Sequence, residues 1–119
     1  MTTDEMKLRT KAFSLSIIGL AEKLSNTYIV KVIANQIVRS GTSVGANYRA
    51  VCRARSDKEF ISKMNIVLEE ADETLFWLEI IKEKDWSDKS DLEMILKEAN
   101  ELTAIFVSSL KTVNKRINQ

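Results

Sequence analysis

The side chains able to do chemistry in this chain are few, and their types limit the reactions open to it. There are 0 His and a single cysteine, Cys52. Without imidazole there is no Ser-His-Asp or Cys-His nucleophile pair and no Glu-x-x-His di-metal site. One thiol makes no internal disulfide and no cysteine zinc cluster. Cys52 has no base beside it in sequence and reads as an inert thiol. Glu69, Glu70, Asp72 and Glu73 are the densest carboxylates. At helical spacing they spread around the axis, so they read as a solvated run rather than a metal site. Gly41-x-x-x-Gly45, flanked by Ser40, Ser43 and Ala46, lacks the Lys-Ser/Thr ending of a phosphate loop. It reads as a place where a neighbouring helix approaches closely, since each mid-helix Gly costs ~1 kcal/mol relative to Ala. No catalytic residue, metal or cofactor is expected, and the chain does not read as an enzyme.

Charge is the feature left to carry function. The overall +1 conceals an asymmetry: residues 1–60 hold 10 Lys/Arg against 5 Asp/Glu, and residues 61–119 hold 8 against 12. From Lys23 to Ser56 there is no acid, only Lys23, Lys31, Arg39, Arg49, Arg53 and Arg55. On a helix Lys31, Arg39, Arg49 and Arg53 share one arc about 100–180° round from the core-side Val30, and Arg55 follows just beyond. A solvated helix face ordinarily mixes signs, because opposite charges at i,i+4 stabilise it and like charges do not. A ridge of one sign is therefore either a plain solvated face that bears its own repulsion or the seat of an anionic partner, nucleic acid or the acidic half of another subunit. Lys31, Arg39, Arg49, Arg53 and Arg55 are the candidate nucleic-acid contacts. They would be phosphate contacts, weakened steeply by salt, because no aromatic is interleaved to stack bases.

The elements that must position these residues are helical. With 119 residues, 45% of them hydrophobic, one domain spanning 1–119 with its own core is expected. There are 0 Pro, and the three Gly all lie inside helix-like patterns, so long helices follow. Apolar spacing predicts helices over roughly 4–24, 28–54 and 57–84, and a fourth carrying Leu92, Leu96, Ala99, Leu102, Phe106, Leu110, Val113 and Ile117. Thr2 with Glu5, Ser56 with Glu59, and Ser90 with Glu93 have capping-box spacing. Ser25-Asn26-Thr27 offers a turn and a further cap. Short connections make sequential helices antiparallel neighbours, an up-down-up-down four-helix bundle. No apolar run approaches the ~20 residues a membrane span needs, and Met1–Glu5 is acidic with no apolar signal-peptide segment. The expected address is the cytoplasm.

The third helix has an apolar face too many. Opposite its main stripe lie Ile66, Phe76, Trp77 and Ile80. A helix apolar on two sides is either buried all round or packs against another chain. Aromatic content favours the second reading, so these residues are the candidate oligomer interface. Asn47, at the edge of the helix-two stripe, has either a partner across the bundle or one in another chain.

Three segments carry a resemblance: Arg39-Ser40-x-x-Ser43-Val44-x-x-Asn47-Tyr48, Arg53-x-Arg55-Ser56-x-x-Glu59-Phe60-Ile61, and Glu69-Glu70-Ala71-x-Glu73-Thr74-x-x-Trp77-Leu78. Together they resemble the four-helix-bundle proteins encoded in intervening sequences of bacterial 23S rRNA genes, also labelled S23 ribosomal proteins. The resemblance runs over nearly the whole chain. It implies a homopentameric ring of antiparallel bundles without enzymatic activity. A relative is the accessory protein of diversity-generating retroelements, a basic pentamer that binds nucleic acid and a reverse transcriptase, which implies RNA or DNA as ligand here. The chain departs from the family in holding Ala50 and Val51 where many members have Glu-Gly, and Gly45 where many have Pro. A role tied to that Glu does not carry over. The competing expectation is a protein–protein scaffold whose basic face meets an acidic protein; neither reading calls for a membrane or a small-molecule substrate.

Overall fold

Four α-helices and no strands make up residues 1–118, the part described by the computed structural model. They are α1 (Thr3–Lys23), α2 (Tyr28–Cys52), α3 (Asp57–Lys84) and α4 (Lys89–Ile117). The body is 51 Å long and 22 × 20 Å across.

Each start and stop has a local cause. The Thr2 hydroxyl accepts the Glu5 N–H and the Ser56 hydroxyl accepts the Glu59 N–H, both at 3.1 Å, which satisfies helix donors that otherwise have no partner. Thr27 stands at the N-cap of α2, but its side chain makes no cap bond. The cap of α4 differs from the one expected. Asp88, not Ser90, accepts the Asp91 N–H at 3.0 Å, and Ser90 lies inside the first turn. The run Asp88-Lys89-Ser90-Asp91 offers two capping residues two apart, and the carboxylate takes the position because it also complements the helix dipole. The end of α3 is a left-handed turn at Asp85 (φ 56°, ψ 43°). The Asp85 N–H returns to Lys82 C=O at 3.1 Å and the Trp86 N–H to Ile81 C=O at 3.2 Å, a Schellman closure that tucks Trp86 back against the core.

The core is the set of inward stripes. Phe13, Ile17, Ile37, Val44, Val67, Leu78, Ile81, Leu102 and Phe106 are buried or nearly so. Leu24, Ile33, Phe60, Leu75 and Leu96 are half-buried and pack against the margins of this core. The buried hydroxyls are all satisfied: Thr10 bonds Met6 C=O, Ser14 bonds Gly41 C=O at 2.9 Å, and Thr74 bonds Ser40 Oγ at 2.9 Å. Burying them bare would cost about 1–3 kcal/mol each.

The glycines divide into two kinds. A Cβ on Gly41 would lie 2.7 Å from Ile17 Cγ2, and one on Gly45 would lie 2.9 Å from Ser14 Oγ and 3.2 Å from Thr10 C=O. Both therefore set how closely α2 sits on α1. A Cβ on Gly19 would meet nothing within 4 Å. Gly19→Ala should therefore recover the helix penalty and raise stability by ~1 kcal/mol, seen as a rise of about 4 °C in Tm by circular dichroism. An unchanged or lower Tm would mean that this position is crowded after all.

Candidate functional site

The structure does not gather the five candidate cations into one ridge. Arg39 turns towards α3, where it bonds Glu70 at 3.0 Å and also Glu73. Its pKa is raised, chiefly by the bond to Glu73, and its charge is locally met. Glu73 is held below the ordinary carboxylate range, first by the Trp77 indole N–H at 3.1 Å and then by Arg39. Arg55 is highly exposed beside Glu59 at 3.8 Å, an i,i+4 pair. Lys31 lies apart, at the start of α2, among Asn26, Tyr28, Val32 and Asn35.

Arg49 and Arg53 do come together, and with two cations from another helix. The small side of α2 at Gly45 lets α1 pack against it, which brings Lys7 and Lys11 alongside. Lys7, Leu8, Lys11, Arg49 and Arg53, with Asp4, line a shallow groove of about 490 Å³. Lys11 and Arg49 also line a smaller depression of about 130 Å³ that continues it past Gly45 and Thr42. All four cations are exposed. Among the described residues none has a carboxylate within 4.0 Å, whereas Arg9, Lys23, Arg39, Arg55, Lys82 and Arg116 all do. Lys7 and Lys11 stand at i,i+4 spacing in the sequence, but their place beside Arg49 depends on how α1 and α2 mesh and is not contained in the pattern of either helix.

On α3, Phe76 is 51% and Ile66 43% exposed. Trp77 and Ile80 are half-buried, and Trp77 packs against the core. The Phe76 and Trp77 rings meet edge to face, 5.0 Å apart at 68°. Tyr28, Ile29 and Val32 at the start of α2 are exposed apolar groups as well. Asn47 settles within its own helix, donating to Ser43 C=O at 2.9 Å.

The family model for the 23S rRNA-intervening sequence protein matches residues 5–108. The chain belongs to the 23S rRNA-intervening sequence protein family. A solved structure from Bacteroides thetaiotaomicron, described as a protein of unknown function from the S23 ribosomal protein family, is similar over 93% of this chain and 99% of its own. The two share 35% sequence identity with a TM-score of 0.84. No curated protein matches the chain.

The residues that carry the family resemblance have physical roles in this chain. Arg39, Glu70, Glu73 and Trp77 form one chain of contacts between α2 and α3, and Ser40 and Thr74 form a buried one beneath it. Ser56 and Glu59 begin α3. These residues therefore join α2 to α3 rather than line a pocket. Among the described residues no three His, Cys, Asp or Glu side chains converge as metal ligands. Tyr48, stacked 6.3 Å from Phe106, is pushed up to about 12 by burial and by neighbouring Cys52, so its hydroxyl stays protonated at neutral pH. Among the described residues no helix is long and apolar enough to cross a membrane.

Proposed function

We propose that this protein is a cytoplasmic, non-enzymatic homo-oligomer that binds nucleic acid, RNA in the first place, through Lys7, Lys11, Arg49 and Arg53. The observation that carries this reading is the groove between α1 and α2: four exposed cations, no carboxylate partner for any of them, and Asp4 the only acid on the rim. Cations held this close repel one another unless an anion meets them. Helical cations on two flanks of a groove suit successive phosphates of one strand. No aromatic lines the groove, so recognition rests on the backbone rather than on stacked bases.

The antiparallel up-down-up-down order is supported by the pairs Gly41 with Ile17, Ser40 with Thr74, Lys82 with Glu93, and Arg116 with Asp57. In that order Tyr28, Ile29 and Val32 stand level with the last turns of α3. The exposure of Tyr28, Ile29 and Val32 on α2 and of Ile66 and Phe76 on α3 supports self-association on the α2–α3 side. A pentameric ring, implied by the family resemblance, would repeat the basic groove five times, and linked weak sites gain affinity together. Ile66→Lys with Phe76→Lys should lower the solution mass by light scattering. Both side chains are exposed within one chain, so helicity should hold. An unchanged mass would remove this face from the assembly.

The test of function is equilibrium binding to a structured RNA fragment and to duplex DNA across a salt series. Binding that falls with a steep log–log salt slope is expected, with the RNA held more tightly. No binding at low salt would leave the groove to an acidic protein partner.

A further inference from the structure

The packing of the bundle is uneven. α1 and α4 touch far less than any sequential pair of helices, and between them runs a groove of about 610 Å³. Its floor is apolar: Phe13, Leu20, Leu24, Trp86 and Ile95. Met94 stands on its lip, 70% exposed. Its rim is acidic, with Asp85, Asp88, Asp91 and Glu98 against a single lysine, Lys23. Of these acids Glu98 is already paired, with Arg9 at 2.6 Å. Lys23 reaches Asp91 at 3.4 Å. Asp85 and Asp88 have no cation within 4.0 Å among the described residues.

Gly19 lies in the wall of this groove. It sits in the middle of α1, where glycine weakens a helix, and no neighbour requires it, since a Cβ there would meet nothing within 4 Å. Gly41 and Gly45 are explained by contact with α1; Gly19 is explained by nothing inside the chain. Its effect is to keep open the middle of an apolar groove.

We infer that the α1–α4 groove is a docking site for a basic amphipathic helix of a partner protein. From Phe13 to Leu24 the groove runs about 16 Å, or three helical turns. That length admits anchors at i, i+3, i+4 and i+7. The apolar face of the guest covers Trp86, Ile95 and Leu20, and its Lys or Arg flanks meet Asp85, Asp88 and Asp91. The surface is separate from the basic α1–α2 groove and opposite to it in charge, so the protein can hold an anion on one side and a cationic helix on the other.

The experiment uses the full-length protein labelled with 5-fluorotryptophan, whose two resonances report Trp86 in the groove and Trp77 outside it. The probe is a synthetic helix of about 14 residues, close to four turns, with Leu at i, i+3, i+4, i+7 and i+11 and Lys at its flanks. A second peptide has every Lys replaced by Glu. The Lys peptide should shift the Trp86 resonance saturably and leave that of Trp77 in place. The Glu peptide should bind at least about tenfold more weakly. Gly19→Leu, whose Cβ meets nothing within 4 Å and whose side chain enters the groove, should cost about tenfold in affinity for the Lys peptide while helicity stays intact. The proposal is overturned if Trp86 does not respond, if the Glu peptide binds equally well, or if Gly19→Leu leaves binding unchanged. A fall in the mass of the peptide-free protein on Gly19→Leu would also overturn it, because a second copy would then be the occupant.

Discussion

Gly41→Ala should destabilise the protein by about 1–3 kcal/mol, the usual range for forcing an extra methyl into a filled core. Alanine is the better helix former by ~1 kcal/mol, so propensity alone predicts the opposite sign. Contact decides. The new Cβ would stand 2.7 Å from Ile17 Cγ2, 2.8 Å from Cγ1 and 3.0 Å from Cβ. Ile17 is fully buried and, being β-branched in a helix, holds one rotamer strongly. It cannot swing aside, so α1 and α2 must move apart, and the Ser14–Gly41 hydrogen bond stretches with them. Ile17→Ala alone should cost about 2–5 kcal/mol through the cavity it leaves. Combined with Gly41→Ala it removes two of the three clashing atoms, and the added methyl partly fills the void. Urea denaturation of the two single variants and the double should therefore show a favourable coupling of about 1–2 kcal/mol. Simple additivity would mean that the helices do not meet at this point. The same Gly-to-Ala change thus has opposite signs at Gly41 and Gly19.

That contrast also shows how much of the molecule is readable without coordinates. Period and capping gave the four helices to within a few residues, because each depends on neighbours close in sequence. Met6, Phe13, Ile17 and Leu20, and likewise Val44, Tyr48 and Val51, are buried as their spacing predicts. What spacing on one helix does not contain is how helices mesh. Arg39 looks like part of a solvent-facing ridge until α3 brings Glu70 and Glu73 against it. Lys7 and Lys11 look unrelated to Arg49 until α1 lies on Gly45. Gly41 and Gly45, spaced four apart, read as a close helix approach in the sequence, but that Gly19 makes no such contact is known only from its neighbours across the bundle. The groove between α1 and α4 had no sequence signal beyond Gly19 itself, since it is a gap and not a motif.

Arg49→Glu with Arg53→Glu should reduce RNA affinity by at least about a hundredfold at low salt, since it replaces two phosphate contacts with two repulsions. The neutral pair Arg49→Gln with Arg53→Gln separates contact from repulsion. On a duplex each lost phosphate contact should flatten the log–log salt slope by about 0.9, so the pair should flatten it by nearly 2 for every protomer engaged. Lys7→Gln with Lys11→Gln, on the other helix, should do the same, because the groove is built equally from α1 and α2. Arg39→Gln is the discriminating control. Its guanidinium is already taken by Glu70 and Glu73, so affinity should stay within about twofold, while the loss of a contact between α2 and α3 appears in the melting curve instead. If Arg39→Gln weakened binding as much as the Arg49 and Arg53 pair, the whole outer side of α2 would be the binding surface, and α1 would have no part in it. All four groove cations are exposed, so a loss of binding with unchanged helicity reports on the groove and not on the fold.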